Sequence, residues 1–230
     1  MATMPARSPA GQPEAGQALA RSTPAGWFGS AAGQVLLQSE SAAALDVLSE
    51  AHGLPWLWLE PIRDPSGASA QGRGLRLALA GDGLWLGGVR CGSELPLASE
   101  SIGAIVLQHV LRRDRTDTGL LQECARVLVP GGRLGLFALN PLAPYRWRWR
   151  GVGLRPAEPL VWRRRLREAG LAPEPLSQGI GPSWREVVSS SLQQGAGLRA
   201  GYLLRAEKRS LPLTPMRARR RVAVADGVPA

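Results

Sequence analysis

Lysine is almost absent from this chain. Of its 28 basic residues only Lys208 is a lysine; the others are arginines. Cysteine is equally scarce. Cys91 and Cys124 are the two in 230 residues, they lie far apart, and no CxxC pair or Cys/His cluster accompanies them. That excludes a zinc site of ordinary ligand spacing, and lone cysteines fit a reducing, cytoplasmic setting. Long apolar runs are missing too. No stretch approaches the roughly 18 apolar residues of a membrane-spanning helix. The start, MATMPARSPAGQPEAGQALA, lacks the apolar core of a signal peptide.

What is present fits one globular unit. Hydrophobic residues make up 44% of the chain, enough for a single domain with a sizeable core. Residues 1–25 are Ala, Pro, Gly and Gln with few large apolar groups, and read as a disordered lead. Residues 26–208 read as the domain. Residues 209–230, including Arg217 to Arg221, read as a basic and disordered tail. A net charge of +10 with a pI near 11.3 points to nucleic acid or an acidic surface as a partner. The abundance of Ala, Gly, Pro, Leu and Arg gives a second reading, a GC-rich coding sequence.

Periodicity predicts alternating helices and apolar strands. Leu36, Leu37, Ala44, Val47, Leu48 and Ala51 recur at three- and four-residue steps and share one helix face. Gly53 is placed as its left-handed stop, and His52 reads as a capping residue. Strands are expected at Pro55 to Leu59, Leu75 to Ala80, Leu84 to Val89, Ile102 to Gln108, Arg133 to Leu139 and Ala200 to Lys208. A helix from about Thr116 to Leu128, capped by Thr116 or Asp117, buries Leu120, Leu121, Cys124, Val127 and Leu128. Pro130-Gly131 carries a type II turn signature, with positive φ at Gly131. A later helix, EPLVWRRRLREAG, is expected to turn Leu160, Val161 and Leu166 inward and its arginines outward. Nearly continuous apolar strands alternating with helices predict an α/β sheet covered on both faces. Ligands of such sheets bind beyond the carboxyl ends of the strands.

The segment from Leu95 to Pro141, LPLASESIGAIVLQHVLRRDRTDTGLLQECARVLVPGGRLGLFALNP, resembles the second half of a class I S-adenosylmethionine-dependent methyltransferase of the type 11 kind. The resemblance is carried by Leu95-Pro96-Leu97, by His109-Val110-Leu111 after a strand, and by Glu123, Arg126, Val127, Leu128, Pro130, Gly131 and Gly132. Weaker similarity extends it over roughly residues 27 to 215. It implies a Rossmann-like, mostly parallel sheet of about seven strands with the last one antiparallel. It also implies S-adenosylmethionine as cofactor and in-line methyl transfer to an acceptor. That chemistry depends on alignment more than on acid–base help.

The same resemblance directs attention to particular residues. Glu60 stands near the acidic residue that precedes the family's glycine-rich loop, yet EPIRDPSGASAQGRG follows with no GxGxG. Asp82 is the candidate for the ribose-binding acid, and Gly92 falls where the adenine-binding Asp is usual. Gly103 replaces the Asp common before the fourth strand. Gln108 and His109 end that strand on the ligand side. His109 is the candidate proton acceptor for the methyl acceptor, set against an ordinary strand-end histidine. Asn140-Pro141 reads as a turn.

Three functions remain open on these residues. One is a methyltransferase of small molecules or of another acceptor. The second is an inactive methyltransferase-like binding module, suggested by the missing glycines. The third is nucleic-acid binding through YRWRWRGVGLR, where arginines alternate with Tyr145, Trp147 and Trp149. That stretch also suits a substrate mouth, a membrane surface or a solvated loop.

Overall fold

The computed structural model describes residues 23–63, 70–111 and 118–209. Residues 1–22 of the expected lead, most of the basic tail, and Thr116 and Asp117 lie outside these residues, whereas Thr23, Pro24 and Ala25, read as part of the lead, cap and open a helix. A short helix α1 (Pro24–Phe28) is capped by Thr23, whose hydroxyl accepts from Gly26 N–H at 3.1 Å. Helix α2 (Ala31–Ser49) follows, capped by Ser30. All six residues assigned to its inner face are buried, and Gly53 adopts the left-handed conformation expected of it, at φ 82°. His52 beside it is also left-handed, at φ 51°, and exposed.

Four parallel strands form the centre of the sheet: β2 (Gly74–Leu79), β1 (Trp56–Glu60), β5 (Ile102–Gln108) and β6 (Leu128–Leu139). Alternation along β1 serves two cores. Trp56 and Trp58 pack with α2, and Leu57 and Leu59 pack on the opposite face. That opposite face is covered by α3 (Thr118–Val127) and α4 (Pro159–Glu168). The long strand β10 (Gly201–Lys208) pairs antiparallel with β6, so the expected antiparallel last strand is present. Small strands β7 (Leu171–Pro173), β8 (Gln178–Ile180) and β9 (Gln193–Gln194) complete that edge, each pair antiparallel.

The strand count exceeds the expected seven because both edges are frilled. At the other edge β2 turns straight back into β3 (Trp85–Gly87) and then β4 (Arg90–Cys91), all antiparallel. The turn is made by Gly81-Asp82-Gly83, with Gly83 at φ 82° and Ala80 N–H donating to Leu84 O at 2.8 Å. A hairpin therefore stands where a helical crossover would otherwise join two parallel strands. The α3–β6 junction also differs in detail. Pro130, Gly131 and Gly132 lie inside β6 as a bulge: Ile102 pairs with Leu128 and Ala104 with Arg133, leaving Val129–Gly132 opposite Gly103 alone. Gly131 has the positive φ anticipated, 78°. In α4, Leu160 is 66% exposed and Trp162 is buried with Leu166. The expected face is rotated because the bulky indole, four residues before Leu166, offers more apolar area than Leu160.

Glu123 and Arg126 do hold α3 to its surroundings. The Glu123 carboxylate accepts from Leu95 N–H at 3.1 Å and from Arg126 at 2.8 Å, and Arg126 donates to Leu95 O and Leu97 O. Arg126 bonding holds the Glu123 carboxyl below its ordinary value of 4.5; burial opposes this and the Leu95 N–H assists it. A carboxyl more acidic in the folded state contributes stability above its unfolded pKa and loses it as pH falls through the folded one. The clamp is thus expected to be fully effective at neutral pH and to weaken below 4.5. Glu123→Gln should lower the urea midpoint at neutral pH and flatten its acid-side decline. An unchanged slope would refute the assignment. Cys124 is core as expected, and burial pushes its thiol up to about 12. Among the described residues no helix is long and apolar enough to cross a membrane.

Candidate functional site

A cavity of about 330 Å³ opens at the carboxyl ends of the parallel strands. Its strand-end wall comprises Pro61 after β1, Leu79 to Gly81 after β2, His109 to Leu111 after β5, and Leu136 to Leu139 of β6. The rest of the lining comes from Thr23 and α1, the segment Gly153 to Ala157, and Trp162. This is where an open α/β sheet places its ligands, and the volume falls in the range of small-molecule sites. The lining is largely apolar. Among the described lining residues there is no Asp or Glu.

His109 borders this cavity, but not with its ring. The residue as a whole is partly exposed while its side chain is 1% exposed, so the accessible part is main chain. The cause is its backbone. At φ 51° the residue is left-handed, a conformation that costs a non-glycine residue on the order of 1–3 kcal/mol. The ring stacks on Phe28 at 5.1 Å between centroids, and its Nε2 lies 2.9 Å from both oxygens of Glu40. Glu40 is fully buried and also accepts from the Gln108 amide at 2.9 Å. Gln108 in turn accepts from the Trp58 indole at 3.2 Å. The chain Trp58–Gln108–Glu40–His109 thus fastens α2 to the ends of β1 and β5. His109 Nδ1 is buried and has no hydrogen-bond partner among the described residues.

The other sequence candidates are dispersed. Glu60 ends β1 as expected, but it is buried in an ion pair with Arg76 at 2.6 Å, and Arg76 lies 4.2 Å over the Trp58 ring. Asp82 sits on the β2–β3 hairpin, where it accepts from Leu84 N–H and pairs with Arg90 at 3.1 Å. Its neighbour Gly81 borders the cavity and Asp82 does not. Gly92 follows the edge strand β4, away from the cavity lining. Asn140 caps its own turn by accepting from Leu142 N–H, and donates to Ala196 O, Gly197 O and Arg199 O. In the Arg/Trp stretch a 3-10 helix (Pro144–Trp149) buries Tyr145 and Trp149; the Tyr145 hydroxyl donates to Ala32 O at 3.1 Å. Trp147 is 61% exposed, with Arg150 4.4 Å over its ring.

Glu40 was not among the residues singled out from the sequence, although a signal for it exists. It falls on the apolar stripe of α2, between Leu36 and Leu37 on one side and Ala44 and Val47 on the other, where an acid must find a partner. Arg76, the partner of Glu60, gave no comparable signal.

No family model and no curated protein matches the sequence. Solved structures match the fold. A possible histamine N-methyltransferase from Thermotoga maritima, described as S-adenosylmethionine-dependent, shares 16% identity at a TM-score of 0.50, over 76% of this chain and 93% of its own. The 1,6-didemethyltoxoflavin-N1-methyltransferase of Burkholderia thailandensis, solved with S-adenosylhomocysteine, shares 14% at 0.52, over 90% and 94%. The geranyl diphosphate C-methyltransferase of Streptomyces coelicolor A3(2) shares 16% at 0.54, over 75% and 81%. The fold is that of the S-adenosylmethionine-dependent methyltransferases.

Proposed function

We propose that the chain is an S-adenosylmethionine-dependent methyltransferase whose cofactor lies against the strand-end wall of the cavity. The observation that carries this reading is the position of the cavity, beyond the carboxyl ends of β1, β2 and β5. The lining suits the nucleoside in place and size. Pro61, Leu79, Val110 and Leu111 offer apolar surface, and the main chain of Gly81 and His109 borders it, the His109 N–H being already donated to Phe137 O at 3.0 Å. The polar hold would differ from the one the family resemblance implies, because Glu60 and Asp82 are engaged by arginines. When bound, S-adenosylmethionine supplies an electrophilic methyl group. The chain's part is to align the acceptor and exclude water. His109 contributes its main chain at the cavity, and its ring holds Phe28 and Glu40 in place.

Isothermal titration with S-adenosylhomocysteine tests this. We expect saturable heat at micromolar ligand, abolished by Ala80→Trp, which fills the strand-end wall. Folded protein that gives no heat at high micromolar ligand would overturn the reading. A second reading, a methyltransferase fold serving as a cofactor-free binding module, is favoured by the lack of a carboxylate among the described lining residues. It predicts no heat in that titration. Nucleic-acid binding is the weaker reading, since two of the three aromatic rings it requires are packed in the core.

A further inference from the structure

We infer that the α1 side of the cavity takes a small anionic amphiphile, with an apolar body and one carboxylate or similar anion held by Arg155. This inference deepens the methyltransferase reading by naming the class of acceptor; the binding itself does not depend on the cofactor.

The walls set the body of the ligand. Phe28, Leu136, Leu139, Leu154 and Trp162 present hydrocarbon and aromatic surface. Burying apolar area there is favourable at roughly 25 cal/mol per Å², and few groups are available to satisfy a polar body. The charge of the ligand follows from what surrounds those walls. Arg155 is the one arginine among the described lining residues, and no lysine, Asp or Glu joins it. The histidine ring in the wall is turned away toward Glu40. A cationic ligand would meet no counter-charge, whereas an anion would meet a guanidinium able to bind it through two parallel hydrogen bonds.

Arg155 is placed by the chain around it rather than by chance exposure. Gly151 and Gly153, at φ 83° and 76°, turn the backbone after the 3-10 helix and bring Leu154 and Arg155 back to the cavity. Two residues later Ala157 is anchored, its carbonyl accepting from the Tyr202 hydroxyl at 2.5 Å. The 3-10 helix is tied to α1 by the Trp27 indole, which donates to Arg148 O at 2.8 Å. Arg146 in that helix and Arg150 after it lie against the exposed Trp147 ring, 5.9 and 4.4 Å from its centroid, and neither lines the cavity. Arg148 is already paired with Glu186.

The test measures displacement of 8-anilinonaphthalene-1-sulfonate from the full chain by decanoate and by decan-1-ol. These two compounds share the chain and differ in the anion. We expect decanoate to displace the probe at roughly tenfold lower concentration than decan-1-ol in the unaltered protein. Arg155→Gln should erase that preference, read as the ratio of the two displacing concentrations, from which the affinity of the sulfonate probe itself cancels. Arg155 is exposed and its replacement leaves the core intact. Arg146→Gln serves as a surface-charge control and should keep the preference. The inference is overturned if neither compound displaces the probe, if the two are equally effective on the unaltered protein, or if the preference survives Arg155→Gln. The measurement is made without S-adenosylhomocysteine, so its failure and that of the cofactor titration are separate results.

Discussion

Replacing Glu40 with alanine is expected to lower the unfolding free energy by about 3–5 kcal/mol, the range for breaking a buried, hydrogen-bonded polar pair. The carboxylate is fully buried and meets Nε2 of His109 and the Gln108 amide, each at 2.9 Å. Alanine leaves both groups without an acceptor, and each stranded polar group costs about 1–3 kcal/mol. It also leaves a void beside Gly201, where an added Cβ would now stand only 2.8 Å from the Glu40 oxygen. For a domain of this size the melting point should fall by about 6–20 °C. Glu40→Gln keeps the volume and one acceptor oxygen but sets its amide against that of Gln108, so an intermediate loss is expected. Urea unfolding followed by tryptophan fluorescence measures both variants, and Trp58 lies in the same chain of bonds. A loss below about 1 kcal/mol for Glu40→Ala would show that the network contributes little net stability. The local consequence is expected at the cavity. With its anchor gone, the His109 ring loses the contact that holds it beneath Phe28, which lines the cavity and stacks on it at 5.1 Å.

Placing aspartate at position 103 is expected to do comparable harm. The family that the Leu95 to Pro141 segment resembles commonly carries Asp there, yet the neighbours of Gly103 leave no room. An ideal Cβ would lie 2.6 Å from Ala51 O and 2.8 Å from Leu54 Cβ. Those atoms belong to the turn after α2, which is held by Leu54 N–H donating to Ala51 O at 3.0 Å and by Gly103 N–H donating to Pro55 O at 2.8 Å. The β6 bulge closes the other side, because an added Cβ on Gly132 would meet Gly103 O at 3.0 Å. Gly103→Ala measures the steric part alone, about 1–3 kcal/mol. Gly103→Asp adds the burial of a carboxylate without a partner and should cost several kcal/mol. Thermal unfolding of both variants gives the comparison. Full stability in Gly103→Ala would show that the turn yields readily, and would remove crowding as the reason glycine stands here.

Much of the architecture follows from local pattern. The apolar stripe of α2 and the strands at 56–60, 74–79 and 102–108 were legible because burial repeats at the period of the element that forms them. The helix ending in Glu123 and Arg126, followed by Pro130-Gly131-Gly132, was legible because those residues act within one turn or across a nearby loop. The site was less legible. Glu60 and His109 stand at strand ends as read, but the direction of each side chain is set by a distant partner. Arg76 draws Glu60 from 16 positions away, and Glu40 draws His109 from 69. That β2 and β3 form a hairpin through Gly81-Asp82-Gly83 was not legible, because two short apolar segments look alike whether they run parallel or antiparallel. In α4 the choice between Leu160 and Trp162 was decided by the cavity and core beneath them. Sequence alone therefore determined the long helices and the central strands, since backbone periodicity is a local property, while the two- and three-residue strands β4, β7, β8 and β9 are too short to carry a period. The tertiary structure decided which polar side chains face the cavity, since their pairing is a long-range choice in which burying an unpaired charge is the costliest alternative.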